Sequence, residues 1–369
     1  MHKSFRPTIK QVASAAGVST QTVSRVINNR PDVSPETRKR VQEVIEQLDY
    51  QPSALARSLI RQRSFTLGVV TAGLRYYIGP SRTVSGITGA AEKAGYSLLL
   101  KELPGFDANN LEQIFQTLLS RHVDGIIWAV PEVGDNRSWI NRSSLDLNIP
   151  MVYLTMKSRE NIPVVSIDNY LGGQLAMAHL IEQGYQHIGH ISGPLDWWEA
   201  RARKAAWTDS LKEAHLEAKD GYCVEGNWSS LSGLQAIKKL YQQYPGMDAV
   251  FVANDQMSVS VMLYACRNGI QIPTDLGVAG FDNLTESEFY FPPLTTVEQD
   301  QYNVGEVAVE EIIKIIEAGW TEQEPARPKS IMLAPTLIIR ESSLKSRAKK
   351  EVHSENKFQA NLEKSLRRD

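Results

Sequence analysis

The sequence predicts an α/β protein in which a small N-terminal helix-turn-helix domain precedes a body of two lobes, each built on a doubly wound parallel sheet. From residue 64 onward, short apolar runs such as "FTLGVV", "DGIIWAV" and "DAVFVAN" alternate with amphipathic stretches. This alternation is typical of parallel strands covered by helices on both faces. Before residue 64, helix-capping signals replace the apolar runs. A chain of 369 residues is long enough for two or three folding units.

Charge is distributed unevenly along the chain, although the formal net charge is only -2. Residues 1–63 carry 11 Lys and Arg against 5 Asp and Glu, and residues 341–369 carry 8 against 5. The segment between them is therefore acidic. A basic head on an acidic body is typical of a nucleic-acid-binding module joined to a second function, although a solvated basic face has the same composition.

Several classes of protein are disfavoured by composition. No run of about 18 apolar residues occurs, and the N-terminus "MHKSFRPTIK" lacks an apolar leader, so we expect a cytoplasmic protein without membrane contact. The two cysteines are far apart and the seven histidines are scattered. We therefore expect no disulfide framework, no metal site and no cofactor.

The first two helices are predicted from their capping residues. Thr8 and Gln11 have the spacing of a capping box, so a helix should begin at Ile9. Gly17 permits the positive φ of a tight turn, and Ser19 should cap the second helix. The outer face of that second helix then carries polar side chains, namely Thr20, Gln21, Ser24, Arg25 and Asn28.

These side chains suit the reading of DNA bases. Gln pairs bidentately with adenine, Arg pairs with guanine, Thr packs on a thymine methyl group, and Ser or Asn contacts phosphates or bases. A plain surface helix would more often carry Glu–Lys pairs four residues apart, which "STQTVSRVI" lacks. We predict a recognition helix, with Thr8 and Ser19 at the edge of the same surface.

A third helix and a possible hinge follow. Ser34 and Pro35 mark the start of the third helix, whose apolar face braces the other two. The segment "YQPSALARSLIRQRS" then places Leu55 and Leu59 without a local core. A short helix that forms only on DNA and inserts a leucine between base steps explains this pattern, and a Pro-broken linker is the alternative.

The segment from Thr8 to Leu59, "TIKQVASAAGVSTQTVSRVINN" and its continuation, resembles the DNA-binding head and hinge of the LacI/GalR family of bacterial repressors. The resemblance implies that Leu59 enters the central step of a palindromic operator, with Ala56 beside it. It also implies that Thr20, Gln21 and Arg25 determine operator specificity.

In the body, the residues directly after each strand are the informative ones, because ligands of such folds lie at the carboxyl ends of the strands. These positions carry carboxylates, amides, an arginine and aromatic rings, which suit a polyhydroxylated ligand. Asp and Asn after a strand also commonly cap the next helix. The predicted effector-binding residues are Tyr77, Glu132, Trp197, Arg201, Trp228, Asn254, Asp282 and Gln299.

The segments "DWWEARARKAAW", "GNWSSLSG", "FVANDQMSVSVM" and "PPLTTVEQD" resemble lactose-repressor-like, sugar-responsive members of the same family. The resemblance implies a periplasmic-binding-protein-like body and sugar contacts from Arg201, Trp228, Asn254 and Asp282. It favours a β-glucoside or β-galactoside stacked on Trp197 and Trp198, unless one of the two is a buried structural residue. The family often places an aromatic residue where this chain has Gln301, so that wall should be more polar.

The expected domains are a helix-turn-helix domain (1–50), a hinge (51–63), a sensor (64–341) and a basic, disordered tail (342–369). The first lobe is expected at about 64–164 plus 297–325, and the second at about 165–296 plus 326–341. In the tail, Leu344, Leu362 and Leu366 share no heptad register, so we expect a homodimer rather than a leucine-zipper tetramer.

The predicted function is a sequence-specific transcriptional repressor whose affinity for operator DNA is set by a small sugar. A purine-dependent corepressor logic is the alternative within the same family. A sugar transport protein is disfavoured by the basic head. An enzyme is disfavoured because no nucleophile elbow or P-loop appears and no carboxylate pair is marked as catalytic.

Overall fold

The computed structural model describes residues 7–27, 29–50, 63–107, 110–141, 148–320 and 329–345. The chain divides into two compact units, Met1–Phe65 and Thr66–Asp369. Asn28, Ala56, Leu59 and most of the predicted hinge and tail lie outside the described residues. Within the described part of the chain, no helix has the length and apolarity needed to cross a membrane.

The first unit contains three helices, α1 (Ile9–Ala16), α2 (Thr20–Ile27) and α3 (Pro35–Gln47). The predicted capping box is present, since the Thr8 backbone N–H donates to Gln11 Oε1 over 2.8 Å. Gly17 ends α1 with φ of 63°, a left-handed conformation that glycine adopts without steric cost. The predicted helix-turn-helix is therefore confirmed, together with its capping box at Thr8 and its turn at Gly17.

A compact apolar core holds the three helices together. Val12, Val23 and Val41 are fully buried, one from each helix. Ala13 and Ala16 are also buried, which allows the second helix to approach the first closely. Because the valines of α2 face this core, the other side of the helix is left to solvent.

The second unit contains two six-stranded sheets. The strands of the first sheet are β1 (Thr66–Ala72), β2 (Ser97–Leu103), β3 (Gly125–Ala129), β4 (Met151–Leu154), β5 (Val164–Ile167) and β11 (Ser330–Leu333). The strands of the second sheet are β6 (Ile188–Ser192), β7 (Cys223–Glu225), β8 (Ala249–Val252), β9 (Gly277–Phe281), β10 (Thr295–Glu298) and β12 (Thr336–Ile338). Their spatial orders are β11-β5-β4-β3-β1-β2 and β12-β10-β9-β8-β6-β7. All pairings are parallel except that of β12 with β10.

Seven helices accompany the sheets: α4 (Ile78–Lys93), α5 (Leu111–Leu119), α6 (Asn169–Glu182), α7 (Trp198–Glu213), α8 (Ser230–Gln243), α9 (Asp255–Arg267) and α10 (Gln301–Trp320) among the described residues. Short 3₁₀ turns lie at Ser138–Asn141, Asp220–Tyr222, Thr285–Phe289 and Glu341–Ser343. The central strands β3, β6, β8 and β9 are buried along their whole length, as expected for parallel sheets covered on both faces.

The chain crosses between the lobes after β5, after β10 and after β11. The first two crossings lie within a few residues of the expected ones. The expected third crossing at about residue 325 is wrong, because β11 pairs with β5 in the first sheet, with Ser330 opposite Val164. An edge strand of four half-buried residues has no pattern that assigns it to either sheet from sequence.

Candidate functional site

The outer face of α2 forms the candidate DNA-reading surface. Ser19 Oγ accepts a hydrogen bond from the Thr22 backbone N–H over 3.0 Å, so the helix is capped as predicted. Thr20, Gln21 and Arg25 are exposed, and Ser24 between them is half-buried. The side chains assigned to DNA recognition therefore share one accessible face, with Thr8 exposed at the start of α1.

Arg25 already has a partner on this surface. Its Nη1 atom lies 3.4 Å from Asp32 Oδ2, and both side chains are about half exposed. An ion pair of this kind contributes only about 0–1 kcal/mol. The guanidinium group can therefore be transferred to a guanine edge at small cost.

The second unit holds a cleft of about 690 Å³, including its open mouth, between the two lobes. Helices α4, α7 and α9 begin close to it, because the carboxyl ends of parallel strands lead directly into helix N-termini there. Six of the eight predicted effector residues line it, namely Tyr77, Trp197, Trp228, Asn254, Asp282 and Gln299.

Aromatic rings from both lobes form one wall of the cleft. The ring of Trp197 lies 5.4 Å from that of Tyr77 and 5.7 Å from that of Trp228, measured between centroids. Phe106 packs edge-on against Trp197 at 4.7 Å. Of the two adjacent tryptophans, Trp197 lines the cleft and Trp198 does not.

Glu132 does not line the cleft, so its expected contact with an effector is not supported. Its Oε1 atom accepts from Arg159 Nη2 over 2.7 Å, and its Oε2 atom accepts from the Lys157 backbone N–H over 2.8 Å. The carboxylate is thus committed to the first lobe. The Glu132 carbonyl oxygen instead accepts from the Trp198 backbone N–H over 3.0 Å, which helps to close the two lobes at the mouth.

Arg201 is also outside the cleft, and Arg203 takes its place. Arg201 is exposed, and its Nη1 atom donates to the Leu195 and Asp196 carbonyls over 2.9 and 2.8 Å. Residues two apart lie on opposite sides of a helix, so only one of the two arginines can face inward. The buried stripe Ala200, Arg203, Ala206 and Trp207 on α7 has helical spacing and would have identified Arg203 from sequence.

Arg203 forms the floor of the site with Asp282. The Arg203 side chain is only 3% exposed, and its Nη1 atom lies 3.9 Å from Asp282 Oδ1. Its Nε atom donates to Asn169 Oδ1 over 2.8 Å, Nη1 donates to the Ala253 carbonyl, and the guanidinium lies 3.7 Å from the Phe281 ring centroid. These contacts hold the cation in one orientation.

Asp282 combines a strained backbone with a perturbed carboxyl group. Its φ of 109° lies in the left-handed region that non-glycine residues rarely adopt, a strain that is common at ligand sites. Burial raises the pKa of Asp282 to about 7, against the lowering effect of the Arg203 charge. The carboxyl group also accepts a hydrogen bond from Gln299 Nε2.

Asn254 lines the cleft, but both polar atoms of its side chain already form hydrogen bonds within the protein. Its Oδ1 atom caps α9 by accepting from the Met257 backbone N–H over 2.9 Å, and its Nδ2 atom donates to the Trp228 carbonyl over 2.9 Å. Asn254 therefore holds Trp228 in place. Further cleft residues that were not predicted as sugar contacts are Thr83, Thr155, Glu199, Gln256 and Gln301. Burial raises the pKa of Glu199, and the nearby Arg203 charge opposes the rise.

Comparisons with known proteins agree with this architecture. The family described as "Bacterial regulatory proteins, lacI family" matches residues 8–53, and the "Periplasmic binding protein-like domain" matches residues 177–343. The "Ribose operon repressor" of Escherichia coli (strain K12) is 33% identical over 338 residues, which is 91% of this chain and 99% of the relative. The "HTH-type transcriptional repressor PurR" of Haemophilus influenzae (strain PittEE) is 32% identical over 342 residues, with 91% and 98% covered.

Two solved structures are similar over more than nine-tenths of this chain. The lac repressor dimer bound to operator and the anti-inducer ONPF has a TM-score of 0.79 at 29% identity, covering 92% of this chain and 99% of that one. A complex of the transcriptional regulator CelR with cellobiose has a TM-score of 0.66 at 29% identity, covering 91% and 100%. Both similarities span the helix-turn-helix and the two lobes together.

Proposed function

This chain belongs to the LacI family of bacterial regulatory proteins, and we propose that a small sugar bound in the interlobe cleft controls its affinity for operator DNA. The protein is a DNA-binding transcriptional repressor with an effector-binding domain and not an enzyme. The proposed effector class is a β-glucoside or β-galactoside. The proposed DNA contacts are those of the α2 face, together with Asn28, Ala56 and Leu59, which lie outside the described residues.

The pairing of Arg203 with Asp282 beside the Trp228 ring carries this proposal. A fixed donor and a fixed acceptor 3.9 Å apart match two neighbouring hydroxyl groups of a sugar, each of which can donate and accept. The Trp228 ring, 5.5 Å from the Arg203 guanidinium, offers an apolar surface for the face of the sugar ring.

A purine effector is the second candidate, favoured by the amide groups of Gln256, Gln299 and Gln301 in the cleft and by the similarity to PurR. Two acidic side chains, Glu199 and Asp282, argue for the sugar. A purine offers these carboxyl groups only its few N–H groups as donors, whereas every hydroxyl group of a sugar can donate to them. Sugar hydroxyls donate to a carboxylate readily. The CelR–cellobiose similarity supports the same class.

We further propose a homodimer that binds a palindromic operator in the cytoplasm. Phe289 and Phe291 are 76% and 97% exposed, although large aromatic side chains are normally buried. An exposed pair of this kind suits a surface that is covered by a second copy of the chain. The lac repressor dimer on its operator provides the parallel.

The proposed mechanism is thermodynamic linkage between the cleft and the operator. A sugar that contacts both lobes favours one lobe arrangement over another, and the operator favours the arrangement in which the hinge segments pair and Leu59 enters the DNA. A coupling free energy of about 1–3 kcal/mol changes operator affinity by about 5- to 150-fold.

The test is fluorescence anisotropy of a labelled palindromic operator with a central CG step, titrated with the protein alone and with cellobiose, lactose, allolactose, glucose or hypoxanthine. A scrambled duplex of equal length reports non-specific binding. We expect a disaccharide to shift the operator Kd and to leave the scrambled duplex unaffected. Operator binding that requires hypoxanthine would instead establish the purine alternative.

A further inference from the structure

A continuous chain of side-chain hydrogen bonds connects the floor of the cleft to helix α4 of the first lobe. Thr83 Oγ1 donates to Gln301 Oε1 over 3.0 Å and shares its proton with the Gly79 carbonyl of its own helix, 3.1 Å away. Gln301 Nε2 donates to Gln299 Oε1 over 3.0 Å. Gln299 Nε2 then donates to Asp282 Oδ1. We call these four residues the polar relay.

The relay is shielded from water over most of its length. Thr83, Gln299 and Gln301 are 3%, 6% and 8% exposed. A buried amide that loses its partner has no water with which to replace it, so the links are retained or rearranged together. All four residues line the cleft, and Asp282, with its side chain 29% exposed, is the most accessible of them to a ligand.

The relay lies at a crossing of the chain between the two lobes. Gln299 and Gln301 lie where the chain passes from β10 in the second lobe to α10, so they occupy a crossing between the lobes. At the other end, α4 and α10 touch through their backbones. A Cβ atom on Gly86 would lie 2.0 Å from the Tyr302 carbonyl oxygen, and one on Gly305 would lie 2.3 Å from that of Thr83. At these two points no side chain separates the helices, so α4 and α10 are closely packed.

Helix α4 is also the first helix of the second unit. It follows β1, whose first residue is Thr66, directly after the first unit ends at Phe65. Its first residues, Ile78 and Gly79, line the cleft. The relay therefore connects Asp282 to a helix that follows the strand beginning directly after the DNA-binding unit.

On the basis of this geometry, and resting on the proposed function of the cleft, we infer that the polar relay transmits effector occupancy at Asp282 to α4. Gln301 and Thr83 are then positioning residues, which set how strongly the effector changes operator affinity.

The first experiment compares Thr83→Val with Thr88→Val. Both threonines lie on α4, but the Thr88 hydroxyl donates only to the Val84 carbonyl of its own helix, over 2.8 Å. The measured quantity is the ratio of operator Kd values with saturating cellobiose and without it, which is independent of the sugar affinity itself. We expect Thr88→Val to respond as the wild type does and Thr83→Val to lose at least about fivefold of the response. Thr83→Ser, which keeps the hydroxyl, should restore it. Equal responses from all four proteins would overturn the inference.

The second experiment needs no sugar. Hydrogen exchange of the peptide covering residues 78–93 is compared between wild type and Asp282→Ala, each with and without Thr83→Val. If the relay transmits changes at Asp282 to α4, Asp282→Ala accelerates hydrogen exchange in α4 in the wild-type background but not in the Thr83→Val background. Acceleration that is equal in both backgrounds, or absent in both, refutes transmission through the relay. A wild type that binds none of the sugars would refute the proposed function, and the exchange result would still decide the relay.

Discussion

Replacing Arg203 by Met, with Arg201→Met as the matched control, tests the assignment of the cleft most directly. The two arginines are two residues apart on α7, yet only Arg203 is buried against the cleft. Met keeps the length and helix propensity of the side chain and removes the charge. The pair of variants therefore separates a role in ligand binding from a general effect of losing an arginine on this helix.

The expected magnitudes follow from the contacts of Arg203. Loss of one hydrogen bond from a charged donor to the ligand costs about 1.5–3 kcal/mol, or roughly 10- to 150-fold in sugar Kd. Breaking its ion pair with Asp282 also lowers stability, by about 3 kcal/mol or less because the Asp282 side chain is 29% exposed. Arg201→Met removes only bonds to two carbonyls in an exposed loop, so we expect its sugar Kd to change by less than about threefold.

Isothermal titration calorimetry with cellobiose measures both variants, and far-ultraviolet circular dichroism verifies that each is folded. Arg203→Lys is a further variant that keeps the charge if Arg203→Met unfolds. The reasoning is refuted if Arg201→Met abolishes sugar binding while Arg203→Met or Arg203→Lys binds as the wild type does. That result would restore Arg201 as the sugar contact.

Four further outcomes are expected. Sugar binding should tighten as pH rises from 6 to 8, because the pKa of Asp282 is raised to about 7 and the carboxylate is the better acceptor. Calorimetry should find a sugar Kd that does not change with pH for Asp282→Asn, and a wild-type sugar Kd that rises with pH would contradict this reasoning. Gln21→Ala should raise the operator Kd by about 5- to 150-fold in anisotropy, whereas Gln42→Ala on α3 should not. Leu59→Ala should weaken binding to the operator and leave binding to a scrambled duplex unchanged. Equal losses of affinity for both duplexes would show that Leu59 does not insert between base steps of the operator. Burial lowers the pKa of His190 to about 3, so as pH falls the unfolded chain is protonated at this histidine before the folded protein is, and stability is lost from about pH 6.5 toward pH 3. In urea unfolding, the free energy of unfolding of His190→Phe should therefore depend less steeply on pH in that window. An unchanged pH dependence would show that His190 is not the group responsible.

The errors at the two misassigned site residues, Glu132 and Arg201, share one cause. Reading the residues that follow each strand located the cleft, because carboxyl ends of parallel strands meet at one edge. It did not separate Glu132, whose carboxylate is held by Arg159 and the Lys157 N–H, from residues that face the ligand. A strand end specifies where a residue lies, whereas the direction of its side chain depends on partners that are distant in sequence.

The sequence by itself determined the elements whose signals are local. The capping box at Thr8, the left-handed turn at Gly17 and the cap at Ser34 each depend on residues within one helical turn, so they could be predicted without a fold. Apolar periodicity likewise determined that two parallel sheets would form. Only the tertiary structure decided that Arg203 and Asp282 would pair, that β11 would join the first sheet, and that Thr83 would reach Asp282 through Gln301 and Gln299. Thr83 and Gln301 are 218 positions apart, and Arg203 with Asp282 and β11 with β5 are likewise distant in sequence. No local pattern predicts which distant partner a residue will meet, because that depends on how the elements pack.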